Sequence, residues 1–216
     1  MLSEPTVFVV DDDTAMCQSI RWLLESVGLA AETYTSVDQF LARFDPTRPG
    51  CLIVDIRMPV RSGLDLQAEL VVRQATLPII VISGYADVPV AVRALKAGAI
   101  DFFEKPFSDQ LLLDRVRQAI DIDARARSAA TARADVVARL ATLTRRERDV
   151  LDRVAEGKTN KLIAAELGIG MKTVEVHRAH VMEKMGVDSV ASLIRALLSA
   201  DDDGGIPTSK YRKVPD

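Results

Sequence analysis

The chain has 216 residues, a net charge of −3 and 48% hydrophobic side chains, so a packed core is expected and global disorder is excluded. No apolar run reaches the ~20 residues of a membrane span, and Met1-Leu2-Ser3-Glu4-Pro5 lacks the basic and apolar regions of a signal peptide, which points to a cytoplasmic protein that does not engage a membrane. Residues 1–123 hold 18 acidic against 11 basic side chains, a net −7, whereas residues 124–139 carry +3, residues 140–200 carry +2 and residues 201–216 carry −1. An acidic front half before a mildly basic back half fits a regulatory module joined to a nucleic-acid binder. Cys17 and Cys51 lack metal-ligand spacing and read as buried free thiols in a reducing compartment.

Taken in chain order, the first half alternates apolar runs and amphipathic segments. Strands are predicted at 6–10, 31–35, 51–54, 78–82 and 100–104, and helices at 14–27, 36–44, 63–73, 88–97 and 107–122. Gly28 and Gly98 end the first and fourth helices, Ser36 caps the second, and Ser108 or Asp109 caps the fifth. Five βα repeats imply an α/β, doubly wound five-stranded parallel sheet, and the flavodoxin-like order 2-1-3-4-5 is the natural choice. Residues 123–139 are rich in Ala, Arg and Asp, with Asp121/Arg125, Asp123/Arg127 and Asp135/Arg139 at helical spacing. They read as a semi-rigid, solvated helical linker continuing the fifth helix, the alternative being a flexible break near Ser128–Thr131. From residue 140 to 200 a small all-α, four-helix unit is predicted. It opens with the capping box Thr144-Arg145-Arg146-Glu147 and continues with helices at 160–167, 171–185 and 189–199. Residues 201–216 read as a disordered tail.

Each apolar run of the first half ends in a polar residue: Asp11 and Asp12, then Asp55, Ser83 and Lys105. Ligands of open α/β sheets bind beyond those strand ends, so the five residues should converge. Three carboxylates within ~5 Å repel by ~3 kcal/mol per pair at an effective dielectric near 20, which a hard divalent cation relieves. Mg²⁺ or Mn²⁺ is therefore expected directly on Asp12 and Asp55 and through water on Asp11, with the backbone carbonyl of Arg57 completing the shell. Asp55 is placed to attack a phosphoryl group as a carboxylate nucleophile, with Lys105 and Ser83 on the phosphoryl oxygens.

These residues carry a resemblance to the receiver domain of two-component signalling, over residues 4–122. Its pieces are Val-Val-Asp11-Asp12-Asp13, Val54-Asp55-Ile56-Arg57-Met58-Pro59, Ile82-Ser83-Gly84 and Phe103-Glu104-Lys105-Pro106-Phe107. The resemblance implies phosphotransfer from a sensor histidine kinase to Asp55, slow self-catalysed dephosphorylation and a cis Lys105–Pro106 bond. It also implies a switch made of Ser83 and Phe102, and a homodimer formed on phosphorylation through a face that includes Lys96, Phe102 and Glu104. Arg57 and Tyr85 hold the places that tune attack by water.

In the second unit, the helices at 160–167 and 171–185 have helix-turn-helix spacing, with Gly168 in the turn. Val174, Val181 and Met185, with His177 or Met182, suit the inner face. Lys172, Thr173, Glu175, Val176 and Ala179 suit the DNA-facing N-terminal end, and Asn160, Lys161, Arg178 and Lys184 suit phosphates of double-stranded promoter DNA. Residues 140–199 resemble the LuxR/NarL-type DNA-binding domain through Leu143-Thr144-Arg145-Arg146-Glu147, Gly157, Asn160-Lys161, Leu167-Gly168-Ile169 and Thr173-Val174-Glu175-Val176-His177. Gly170 and Met171 depart from the Ser-Pro-like start common there. The pair of modules looks most like the FixJ subgroup of response regulators. That implies a transcription regulator, with activation the expected sense and RNA polymerase a further candidate partner. A haloacid-dehalogenase-like phosphatase is the enzyme alternative, but its D-x-D motif wants Thr or Val where Ala15 stands, and no cap domain is evident. A vestigial, phosphate-independent receiver is the third reading, and the intact five-residue site argues against it.

Overall fold

The computed structural model describes residues 4–84 and 88–201. Tyr85 and all of the expected tail beyond Asp201 lie outside the described residues. The chain divides into two compact units, residues 1–127 and 128–216.

The first unit alternates β1 (Thr6–Val10), α1 (Thr14–Ser26), β2 (Ala30–Tyr34), α2 (Val37–Arg43), β3 (Gly50–Asp55), α3 (Gly63–Val72), β4 (Ile79–Ser83), α4 (Val88–Lys96) and β5 (Asp101–Glu104), then enters α5 (Asp109–Ala141). The five strands are parallel, in the order 2-1-3-4-5. Strand runs such as Val7–Val10 and Leu52–Val54 are apolar at every position because both faces of the sheet are covered. Phe8, Val10, Leu52, Val54 and Val81 point to one core, and Val7, Val9, Cys51, Ile53, Ile80 and Ile82 to the other. Both cysteines are free and buried.

Local chemistry fixes where the helices begin. The Ser36 side chain accepts from Gln39 N–H at the start of α2, and Ser62 forms a reciprocal capping box with Asp65 at the start of α3. Gly63 has a stricter reason to be glycine. A Cβ there would lie 2.3 Å from the backbone oxygen of Asp55, so only glycine lets α3 begin against the end of β3.

The linker continues the fifth helix as expected: α5 runs to Ala141 without a break at Ser128–Thr131. The 123–139 stretch is, however, not uniformly solvated. Asp123 is buried and paired with Arg127 at 2.7 Å, whereas Asp121/Arg125 and Asp135/Arg139 form no ion pair among the described residues. Further along, Val136 and Leu140 pack on the core of the second unit. Composition concealed these anchors because each consists of one or two side chains in an otherwise polar helix.

In the second unit, α5 is followed by α6 (Arg145–Ala155), α7 (Asn160–Leu167), α8 (Met171–Met185) and α9 (Val190–Asp201). Val150, Leu151, Val154, Ile163, Val174, Val181, Met185, Leu193 and Leu197 form its core. The Thr144–Glu147 capping box is present as read. Gly168 closes α7 in the left-handed region, with φ 65°.

Candidate phosphoacceptor site and DNA interface

The strand ends bring Asp11, Asp55 and Lys105 into direct contact. Lys105 Nζ donates to Asp11 Oδ2 and to Asp55 Oδ1, both at 2.7 Å. The other oxygens are also held: Asp13 N–H donates to Asp11 Oδ1 at 2.9 Å, and Arg57 N–H to Asp55 Oδ2 at 2.6 Å. Burial raises the Asp11 carboxyl, against the lowering pull of Lys105. Burial alone would lower the Lys105 ammonium, but its hydrogen bonds to Asp11 and Asp55 outweigh this and raise it. The result is a pinned, nearly buried Asp55 carboxylate with a cation on one oxygen.

Ser83 ends β4 with 1% exposure, and its carbonyl accepts Lys105 N–H at 2.7 Å, which ties the ends of β4 and β5 together. Phe102 pairs in register with Val81, lies on the same face as Ser83 and packs half-buried on that core. The Lys105–Pro106 bond is cis, as the resemblance implied. Lys96, in the last turn of α4, and Glu104, at the end of β5, are exposed.

One expectation is only partly realised. Asp12 is exposed and lines a cleft of about 660 Å³ with Arg57, Met58 and Arg93. Among the described residues, no three His, Cys, Asp or Glu side chains stand together as a metal cage. The single ammonium of Lys105 bridges Asp11 and Asp55 and offsets one of their two negative charges. The donors are nonetheless hard oxygens beside an open cleft, the chemistry Mg²⁺ accepts once waters and phosphate oxygens complete its shell.

Two positioning residues escaped the sequence reading. Asp13 caps α1 through Ala15 N–H and Met16 N–H while its own N–H holds Asp11. Gly63 allows the close approach behind Asp55. The signals were present, an N-cap residue before a helix and a glycine eight residues after the acid, but only the packing gives them a role.

In the second unit α7, a turn at Gly168 and α8 form a helix-turn-helix. Val174, Val181 and Met185 are buried, and His177 and Met182 are half-buried. Lys172, Thr173, Glu175, Val176 and Ala179 are exposed along the N-terminal half of α8, and Lys161 is exposed on α7. Gly170 caps α8 without a side-chain bond. Arg178 Nη1 donates to Asn160 Oδ1 at 3.0 Å, so these two proposed phosphate contacts also join α7 to α8.

Lys184 also has a partner within the domain. Its Nζ donates to Glu147 Oε2 at 2.7 Å, and Glu147 is almost fully buried. The Lys184 hydrogen bond and the Thr144 N–H hold the Glu147 carboxyl down at about 2. The ammonium therefore braces the capping box of α6. Spacing along α8 could not reveal this, because Glu147 is distant in sequence.

Comparison with known proteins agrees with both halves. A family model described as the response regulator receiver domain matches residues 7–117, and one for bacterial regulatory proteins of the luxR family matches residues 141–197. The transcriptional regulatory protein FixJ of Azorhizobium caulinodans is 46% identical over 205 residues, covering 94% of this chain and 97% of that protein. The chain belongs to the FixJ-like response regulators. Nodulation protein W of Bradyrhizobium diazoefficiens is 45% identical over 189 residues, covering 88% of this chain and 83% of that protein. Among solved structures, the response regulator StyR matches with a TM-score of 0.84 at 42% identity, over 91% of this chain and 99% of that one. Full-length FixJ from B. japonicum matches with a TM-score of 0.56 at 37% identity, over 92% and 98% respectively. As a FixJ-like response regulator the protein is a phosphorylation-dependent transcription regulator, not a metabolic enzyme. Its receiver implies a sensor kinase as partner, and its LuxR-type domain implies DNA as ligand. No helix among the described residues is long and apolar enough to cross a membrane.

Proposed function

We propose that Asp55 is the residue phosphorylated by the sensor histidine kinase, and that the phosphoryl group drives dimerisation and binding to two promoter half-sites in the cytoplasm. The observation that carries this reading is the Lys105 ammonium held at 2.7 Å from Asp55 Oδ1. The Asp55 carboxylate attacks phosphorus, and the bond from phosphorus to the donor breaks, leaving the electron pair with the donor. Lys105 stays beside the transferred group and offsets its charge. Arg57 N–H keeps the carboxylate oriented through Oδ2. A bound Mg²⁺ or Mn²⁺, held by Asp11, Asp12, Asp55 and the Arg57 carbonyl, would neutralise phosphoryl oxygens. Ser83 donates to a third oxygen, and Phe102, on the same face, turns inward as Ser83 moves. The face bearing Lys96, Phe102 and Glu104 then pairs with a second copy, and slow self-catalysed dephosphorylation resets it.

On DNA, the exposed N-terminal half of α8 enters the major groove, with Lys172, Thr173, Glu175, Val176 and Ala179 towards the bases. Lys161, with Asn160 and Arg178, contacts phosphates, and bound RNA polymerase is the natural recipient of the signal. The test is intact-mass measurement after incubation with acetyl phosphate and Mg²⁺. The expected result is one phosphoryl adduct on the wild type and none on Asp55→Asn. An adduct on the variant at the wild-type rate would overturn the assignment.

A further inference from the structure

The strand that presents Asp55 is held at its other end by the helix that leads out of the first unit. β3 runs from Gly50 to Asp55. Gly50 N–H donates to Asp123 Oδ2 on α5 at 2.9 Å, and the same oxygen accepts Arg127 Nε at 2.7 Å. Arg127 then reaches past Asp123 to the chain entering β3. Its Nη1 donates to Thr47 O at 2.9 Å and its Nη2 to Arg48 O at 2.6 Å. Three hydrogen bonds thus join one turn of α5 to residues 47–50, and a fourth, between Arg127 and Asp123, ties the two side chains to each other.

Three features separate this arrangement from an ordinary helical ion pair. Asp123 is 1% exposed, and its Oδ1 is buried without a hydrogen-bond partner among the described residues. A carboxylate in that position is a poor source of stability, since desolvation opposes its pairing, and such groups are better understood as fixing one arrangement. Its charge is also felt in the sheet: burial first, and Asp123 second, push the Cys51 thiol up to about 12. Finally, Gly50 has no room to become another residue, because a Cβ would fall 1.8 Å from Thr6 O at a φ of +147°. Its N–H is therefore presented at a fixed point between β1 and α5. A merely solvated linker needs none of this.

We propose that Asp123 and Arg127 form a polar clamp that makes the first turns of the linker move with β3, and that phosphorylation-dependent DNA binding requires this clamp. β3 carries the phosphoacceptor at one end and the clamp at the other. A change at Asp55 therefore reaches a helix that is already fixed in rotation about its own axis. The idea rests on the proposed phosphorylation of Asp55.

The test uses the full chain and two variants, Asp123→Asn and Arg127→Ala, with a duplex selected from a random pool by the acetyl-phosphate-treated wild type. Hydrogen exchange of residues 120–127 should accelerate at least tenfold in Arg127→Ala. Both variants should take up the phosphoryl group at the wild-type rate, which also reports that the receiver is folded. Their gain in affinity on phosphorylation should fall about tenfold, while affinity for a duplex with one half-site stays unchanged. A gain within twofold of wild type, in variants whose exchange has accelerated, would overturn the proposal, as would unaltered exchange in Arg127→Ala. Absence of any gain in the wild type would instead refute the proposed function, and the clamp's role with it.

Discussion

Replacing Lys184 with methionine separates two roles for one lysine. Methionine keeps the length and packing of the side chain but removes its charge and its hydrogen bond to Glu147. Glu147 and Lys184 side chains are 5% and 34% exposed. The loss should fall between the ~1.5–3 kcal/mol of a hydrogen bond to a charged group and the ~0–1 kcal/mol of an exposed pair. Glu147 Oε2 retains the Thr144 N–H at 2.8 Å, so the carboxylate is not left bare. We expect ~1–2 kcal/mol at neutral pH. The pH dependence has a defined sign. Glu147 sits at about 2 against an ordinary 4.5, so its ionised form contributes stability that is complete above about 4.5 and lost as pH falls towards 2. The difference between wild type and Lys184→Met should therefore be full at pH 7 and shrink through that window. Urea unfolding of the full chain, followed by far-ultraviolet circular dichroism across this pH range, measures it. Salt dependence of DNA binding provides the second readout, and its slope should not change. A stability difference under ~0.3 kcal/mol together with a slope lowered by about one unit would make Lys184 a phosphate contact and refute the bracing role.

Excess chelator should abolish phosphorylation of the wild type by acetyl phosphate, and Asp12→Ala should slow it at least tenfold at equal Mg²⁺; intact-mass time courses decide both. Lys161→Ala should weaken binding to all DNA sequences alike and lower the salt slope by about one unit. Val176→Ala should instead alter which base is preferred, by ~1–3 kcal/mol at one position, as read by competition binding. Val60 is 98% exposed with φ +68°. Relieving that strain with Val60→Gly should stabilise the receiver by ~0.5–1 kcal/mol, the left-handed penalty less the added chain entropy. A lower urea midpoint in that variant would contradict the strain.

The sequence alone determined the architecture, and the reason is local. Runs such as Val7–Val10 and Ile79–Ile82 are apolar throughout, which requires strands covered on both faces. The five polar residues that end these runs locate the site, because parallel strands present their C-terminal ends on one side. The Thr144–Glu147 capping box and Gly168 likewise declare their roles within a few residues. Tertiary structure decided what depends on partners remote in the chain. Lys184 looks like any exposed lysine on a recognition helix until Glu147, 37 residues earlier, receives it. Asp123 looks solvated until Gly50, 73 residues away, donates to it. Lys105 settles between Asp11 and Asp55, and Asp12 faces solvent. Periodicity reports which face of an element is buried. It carries no record of which charge the fold will set against another, because that pairing is fixed only when distant segments meet.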